Sequence, residues 1–433
     1  MILPLALALT FPATGTVHLP RGVTEISSEI RLPDGAHDLK IIGELHDSTL
    51  RAAANFQGRA MLSCHECRNI ELRNFSIDGN RDATAKPWPL PPAEKSFAGF
   101  VPNNGILIED TMGFSADHLD FRAMAGFAIL VNHSRNILLD HLLVEDSGSL
   151  NAKGRNNATG GVLLEEGTDD FTVADSTFRN IRGNAVWTHS RYRAPRNSRG
   201  KIVNVTFSEI GRDAIQVGHA TGVLVEGNQG SRIGFPAEIV DLETLGTPVG
   251  IDTAGNVDAS TYEYNQFEEV DGKCIDLDGF HDGTVRENTC TNRGAPEDYP
   301  YGNFGISMNN ASIEMTSKNI LIEGNRLSGM KFGGIFALGE GHVIRHNRMT
   351  RLNTAHCNET HAKFGCLAIL GEPGFLESGI YLAKGGERPS PAHNITIENN
   401  VISGYKMAAH CIEAAPAVKL SGNTIRKNTC RDE

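Results

Sequence analysis

The chain has 433 residues, 40% of them hydrophobic and 21% charged, and a formal net charge of −12. That acidic balance excludes the basic face a nucleic-acid binder needs, and no apolar run approaches the roughly 18 residues of a membrane span. Length alone suggests two or three domains, but internal repeats override such a count.

The start, MILPLALALTFPA, is apolar and ends near small residues. It reads either as a truncated export signal lacking its basic end or as the apolar cap of a first strand. Further on, CHEC (64–67) offers a local disulfide or half a zinc site. No second CxxC accompanies it, so the expected role is structural. The other near pairs, Cys274 with Cys290, Cys357 with Cys366 and Cys411 with Cys430, favour disulfides and an oxidising compartment.

From residue 104 onward one plan recurs: NGILIED (104–110), GFAILVN (126–132), GGVLLEE (160–166), NAVWTHS (184–190), DAIQVGH (213–219), VGIDTAG (249–255), KCIDLDG (273–279) and FGISMNN (304–310). Each has a small residue or cysteine, an aliphatic, an outward position and a second inward one. This is strand alternation, not helical spacing. A second strand follows in each unit, as in KNILIEGNRLSG (318–329) and HNITIENNVISG (393–404). Uninterrupted units repeat every 22 or 23 residues, as from Asn325 to Asn347 or from Asn400 to Asn423. Short strands at a fixed period cannot bury their faces alone, and the pattern predicts an all-β solenoid, a single-stranded parallel β-helix. Asn228, Asn265, Asn288, Asn325, Asn347, Asn400 and Asn423 recur at one turn and are expected to form a stacked amide ladder.

One domain, 1–433, is expected, with opening coils at 14–80 and insertions at 81–104, 149–159, 190–200, 233–248, 292–303 and 352–377. Insertions in solenoids gather on one face, often the binding face.

Stacking the first strands gives an outward column that is apolar or mixed at its ends and polar in the middle. Trp187, His189, Gln216, His219, Asp252, Asp276, Asp278, His281 and Asn309 fall in or beside that middle. Neighbouring coils lie roughly 4.8 Å apart, so Asp252 and Asp276 are expected to be neighbours. Carboxylates so close cannot all ionise easily. A protonated acid beside an ionised one is what glycosidic cleavage uses, so Asp252, Asp276 and Asp278 are the candidate catalytic residues. On this reading Asp276→Asn removes turnover and leaves thermal stability unchanged or slightly raised. Trp187, Gln216, His219, His281 and Asn309 are candidate sugar contacts. No cofactor is implied; calcium is the ion that adjacent acids could hold. The loop SRYRAPRNSRGK (190–201) holds no acid, and its Arg191 and Arg193 are candidate grips for an anionic polysaccharide.

The coils resemble the right-handed parallel β-helix of the pectin-lyase-like superfamily, and TGTVHLPRGVTEISSEIRLPDG (14–35) with RNIELRNFSIDGN (68–80) resembles the first coils common in that group. Polygalacturonase-type hydrolases place one Asp before a paired Asp on the next coil, as Asp252 stands before Asp276 and Asp278. Their following Gly-His-Gly and Arg-Ile-Lys are absent here, where that coil reads FGISMNN. IDLDGFHDG keeps part of a mannuronan epimerase motif, and VWTHS echoes a pectate lyase motif without its Asp. No single family is matched. The resemblance implies a secreted or periplasmic enzyme on a polysaccharide, with hydrolysis as first choice. The alternatives are lyase or C5-epimerase chemistry on a uronate, with His189 or an arginine as base, and a non-catalytic glycan-binding β-helix.

Overall fold

Strands make up nearly all the regular structure, as the alternating pattern requires, and the α-helix among the described residues is the short Arg81–Thr84. The structure, a computed structural model, describes residues 9–433 except 88, 93, 242–246, 303, 313–314, 358–365, 367–373 and 387. The apolar start (1–8) and most of the 352–377 insertion therefore lie outside the described residues.

Two compact units divide the chain, Met1–Arg212 with Glu238–Asp241, and Asp213–Ala237 with Leu242–Glu433. Both are parallel β-helical coils in which each strand pairs with its equivalent one coil later. In the first unit Leu107, Leu130, Leu163 and Trp187 stand in register. In the second, Gln216, Asp252, Asp276 and Ser307 do so. Inside the coils apolar residues stack in register, as Phe178 does on Phe207 at 5.7 Å in the first unit, and in the second Tyr262 packs tilted against Phe280 at 5.1 Å. Each such side chain contributes roughly 1.5–3 kcal/mol on burial, repeated coil after coil.

The amide ladder is present in the second unit. The side-chain NH₂ of Asn228 donates to Asn265 Oδ1 at 2.8 Å, and the chain of bonds runs on through Asn288, Asn325, Asn347 and Asn400. Its last rung is Asn428, not Asn423. The spacing misleads because the final coil is longer: Val401 pairs with Thr429, and the asparagine preceding each strand start is the one that stacks. Asn423 instead accepts the backbone N–H of Ile395.

All eight cysteines are paired, as Cys64–Cys67, Cys274–Cys290, Cys357–Cys366 and Cys411–Cys430. The Cys64 and Cys67 thiols are thus consumed, which removes the half zinc site.

In the first unit the 81–104 insertion folds onto the outward column. Phe97, Ala98 and Val101 bury Leu107, Leu130, Leu163 and Trp187 in one apolar cluster. Apolar residues at outward positions are thus explained by a cover, which the alternation alone does not reveal.

Candidate active site

Four strands of the second unit build the site: Ile215–Thr221, Val249–Asp258, Lys273–His281 and Ile306–Asn309. Ile251, Thr253, Ile275 and Leu277 point into the coil and are fully buried. The intervening Asp252, Asp276 and Asp278 face outward and keep part of their surface open. Register places Asp252 beside Asp276, and Asp278 between Ala254 and Asn309. Beyond Asp278 the chain turns a corner at Gly279, whose φ is 78°. A Cβ there would collide with the Gly255 carbonyl of the previous coil, so only glycine lets the two corners stack.

The carboxylates are supplied with donors unequally. Asp276 is well held: Lys273 Nζ donates to Oδ2 at 2.6 Å, while Oδ1 accepts from Ser307 Oγ at 2.6 Å and Leu277 N at 3.1 Å. Among the described residues Asp252 accepts one bond, from Gln216 Nε2 at 2.6 Å. Asp278 Oδ1 is buried and accepts no hydrogen bond among the described residues. Asp213, also buried, takes the Val249 N–H at 3.1 Å and adds a fourth carboxylate.

Electrostatics follow from that distribution. Crowding by the groove walls, then Asp213, Asp276 and Asp278, push the Asp252 carboxyl well above the usual carboxylate range, with Gln216 opposing. Part of its surface still meets solvent, so its proton can exchange. Asp278 is pushed up to about 6 by burial and by Asp276, with Lys273 and Arg388 pulling it down. Lys273 is raised: burial opposes its charge, but Asp276, Asp252 and Asp278 outweigh that cost. Arg388 is held at the site by Asn310: its guanidinium donates to the Asn310 carbonyl at 2.9 Å, and the Asn310 amide donates back at 2.9 Å.

The structure brings Asp252, Asp276, Asp278, Gln216 and Asn309 together and sets two histidines apart. His281 lies past the glycine corner, in register with Asp258, with Nδ1 on Asp282 at 2.8 Å and Nε2 on Asn256 at 3.0 Å. His219 is buried and accepts the Asn256 N–H at 3.4 Å. Both fasten the corner and do not line the groove of aspartates. Sequence reasoning missed Lys273, Asp213, Ser307 as a partner of Asp276, and Arg388. Lys273 lay inside the quoted KCIDLDG, whereas nothing local distinguishes Arg388.

Trp187, His189, Arg191 and Arg193 belong to the first unit. Trp187 is 9% exposed and meets Phe97 edge-on at 4.8 Å, so its ring is packed and not displayed to a sugar. His189 lies 5.2 Å from the Phe97 ring, with Nδ1 3.7 Å from the buried Glu165 carboxylate. Arg191 is engaged by Glu166, its Nε donating at 2.9 Å and its backbone N–H at 3.0 Å. Arg199 is likewise spent on Asp169 and Asp170. Arg193 is exposed. The loop contains no acid, but the coil beneath it supplies them.

Three groups among the described residues have ligand atoms close enough for a metal: Asp117, His118 and His141; Glu165, Glu166 and His189; and Glu377, His410 and Glu413. In the aspartate groove the Lys273 ammonium provides the positive charge.

The family model for the right-handed β-helix region matches residues 150–348 and 247–431. No curated protein matches the sequence. Among solved structures, the DFA-IIIase of Arthrobacter chlorophenolicus A6 in complex with GF2 is 12% identical, with 95% of this chain and 88% of that chain covered at a TM-score of 0.55. PfbA, a surface adhesin of Streptococcus pneumoniae, is 16% identical over 78% of this chain and 82% of its own, at 0.51. The Dettilon tailspike protein is 14% identical over 77% and 60%, at 0.52. At such identities the likeness is one of fold, and an enzyme and an adhesin share it.

Proposed function

The chain belongs to the right-handed β-helix family, and from that premise we propose that it is a secreted enzyme that hydrolyses glycosidic bonds of a polysaccharide in its aspartate groove. The fold alone carries no such activity. What supports the reading is one observation: Asp278 and Asp252, both with raised proton affinity, flank the ion-paired Asp276. Glycosidic cleavage needs a carboxyl that is still protonated where its neighbour is ionised. Asp278 is assigned as the general acid, giving its proton to the leaving oxygen. Asp276 is the anionic partner: it faces the developing positive charge on the sugar and takes up the proton of the water that replaces the leaving group. Asp252, held by Gln216, shares the cluster's remaining proton with its neighbours, so the groove titrates as a set.

The groove favours a neutral glycan over a uronate. Asp213, Asp252, Asp276 and Asp278 stand against Lys273 and Arg388 as the charges named at the site. Of the loop's arginines, Arg191 is engaged by Glu166 and Arg199 by Asp169 and Asp170, which leaves Arg193 as the exposed candidate grip. This weakens the lyase and epimerase alternatives. No cofactor enters the scheme, since Lys273 supplies the charge a calcium ion would otherwise bring. Four disulfides favour an oxidising compartment, secreted or periplasmic.

A panel of neutral and acidic polysaccharides, assayed for both new reducing ends and unsaturated products, tests the proposal. The expected result is reducing ends without unsaturation, abolished by Asp278→Asn. Unsaturated product would establish a lyase. Glycan binding that survives Asp278→Asn, with no turnover in the wild type, would establish a binding module like the adhesin it resembles in fold.

A further inference from the structure

We propose that Lys273 is the positioning residue of the groove, fixing Asp276 in place and setting which neighbouring carboxyl holds the proton. The inference rests on the groove being the hydrolytic site.

Strict alternation would put Lys273 and Asp276, three residues apart, on opposite faces of a strand. Here they meet. Cys274 and Ile275 are both buried in succession, Cys274 through its disulfide to Cys290 and Ile275 in the coil interior. That break in parity returns Lys273 to the outward face beside Asp276. The backbone is pinned just before the break. Lys273 N donates to the Pro248 carbonyl at 3.1 Å. Gly272 passes so near that carbonyl that any Cβ would collide with it. The ammonium is thereby delivered to Asp276 Oδ2 at 2.6 Å, with the lysine and aspartate side chains 21% and 13% exposed.

A lysine so placed is costly to desolvate and is retained only where charges repay it. Asp276 pairs with it directly, and Asp252 and Asp278 act on it at longer range. Among the described residues, charged and polar groups reach the pair from several elements. Asp252 comes from the preceding coil, Asp213 from the coil before that, and Asp278 from the same strand. Ser307 and Asn309 come from the next coil, and Arg388 from the loop held by Asn310. Lys273 is therefore the cation inside the strand ladder itself, while Arg388 reaches in from a loop. Remove Lys273 and Asp276 is left among carboxyls with one donor fewer, and Asp278 loses a charge that lowers its proton affinity.

The test compares wild type, Lys273→Met and Lys273→Arg as full chains. On a substrate found by the panel above, Lys273→Met should lower kcat at least about tenfold with KM nearly unchanged, and should move the alkaline limb of the pH profile upward by about half a unit or more. Lys273→Arg, keeping the charge, should restore the limb. A merely structural lysine would lower thermal stability and leave the limb where it was, which overturns the proposal. A second readout needs no substrate: carbon-13 titration of the aspartate carboxyls, with Asp278 assigned from Asp278→Asn. An upward shift of the Asp278 midpoint in Lys273→Met supports the proposal, and an unmoved midpoint overturns it. Absence of turnover in the wild type would sink the hydrolytic reading separately from that titration.

Discussion

Glu165 in the first unit and Asp278 in the second are both acids on outward positions of a coil, and they differ in what reaches them. Glu165 is fully buried, yet its oxygens accept Phe97 N at 2.9 Å, Ala98 N at 2.7 Å and the Asn132 amide at 3.1 Å. Its neighbour Glu166 is clasped by Arg191. Asp278 has a buried oxygen with no donor among the described residues, and three further aspartates crowd its groove. Donors stabilise the charged form; burial and like charges stabilise the neutral one. A well-supplied carboxylate fastens structure, here the 81–104 insertion. An under-supplied one keeps its proton into the pH range where that proton can be given away.

The largest effect expected from this contrast is on turnover. Asp278→Asn should lower kcat by on the order of a hundredfold or more, while Glu165→Gln should leave the rate per folded molecule within about twofold. The reverse pattern would move the chemistry to the His189–Glu165 pair. Next comes stability. Glu165→Gln gives up a charged acceptor for two buried backbone N–H groups and should cost about 2–3 kcal/mol. Hydrogen exchange should rise over 97–101. Asp276→Asn belongs on this side of the comparison too. The expectation of relieved repulsion holds for an unpaired acid, but Asp276 is the one bound to Lys273, and its removal strands that charge. Its melting temperature should fall, whereas that of Asp278→Asn should not.

The pH dependence sharpens the contrast at a smaller scale. The folded-state value of Asp278, about 6, lies above the ordinary 3.8 of an unfolded aspartate. Between these values the native state holds more protons than the unfolded one, so stability falls as pH rises from about 4 to about 6 and then levels. A difference of about 2.2 units corresponds to at most about 3 kcal/mol, and the side chain's remaining exposure reduces that. Asp278→Asn should therefore raise stability by about 1–2 kcal/mol at pH 8 and hardly at all at pH 4. Asp271, buried and pushed up to about 7 by burial, should produce a second decline in the same direction towards neutral pH. Denaturant melts at several pH values read both. A flat curve for the wild type would mean that the cluster is hydrated more fully than its geometry shows.

The coil period was legible in the sequence because alternate apolar residues must fill one narrow interior, and a constant period brings Asp252 to Asp276 with no further information. Three kinds of feature were not legible. Local departures from alternation were hidden: the paired burial of Cys274 and Ile275 put Lys273 on a face the pattern denied it. The glycine corner likewise took His281 away from Asp278. Covers were hidden as well, since an insertion that folds back turns an outward Trp187 into core. Partners one coil away were hidden too, because no single segment contains both. Glu166 lies 25 residues before Arg191, about one coil, and so beneath it.

The Arg191–Glu166 pair yields the smallest of the predicted effects, and one that separates charge on display from charge in use. Arg191 meets Glu166, whose side chain is only 6% exposed, and also donates to the Glu94 carbonyl at 3.1 Å. Removing it leaves a nearly buried carboxylate with fewer donors, so Arg191→Ala should destabilise the protein by about 1–2 kcal/mol. Arg193 is exposed, and Arg193→Ala should change stability by less than about 0.5 kcal/mol. If the loop gripped an anionic chain, both substitutions would weaken binding of acidic glycans and flatten its salt dependence. The expected result is that neither does so selectively, and that any loss in Arg191→Ala is equal for neutral and acidic glycans because it comes through folding. A salt-dependent loss confined to acidic glycans in Arg193→Ala would restore the loop as a recognition element, and with it a uronate as the substrate.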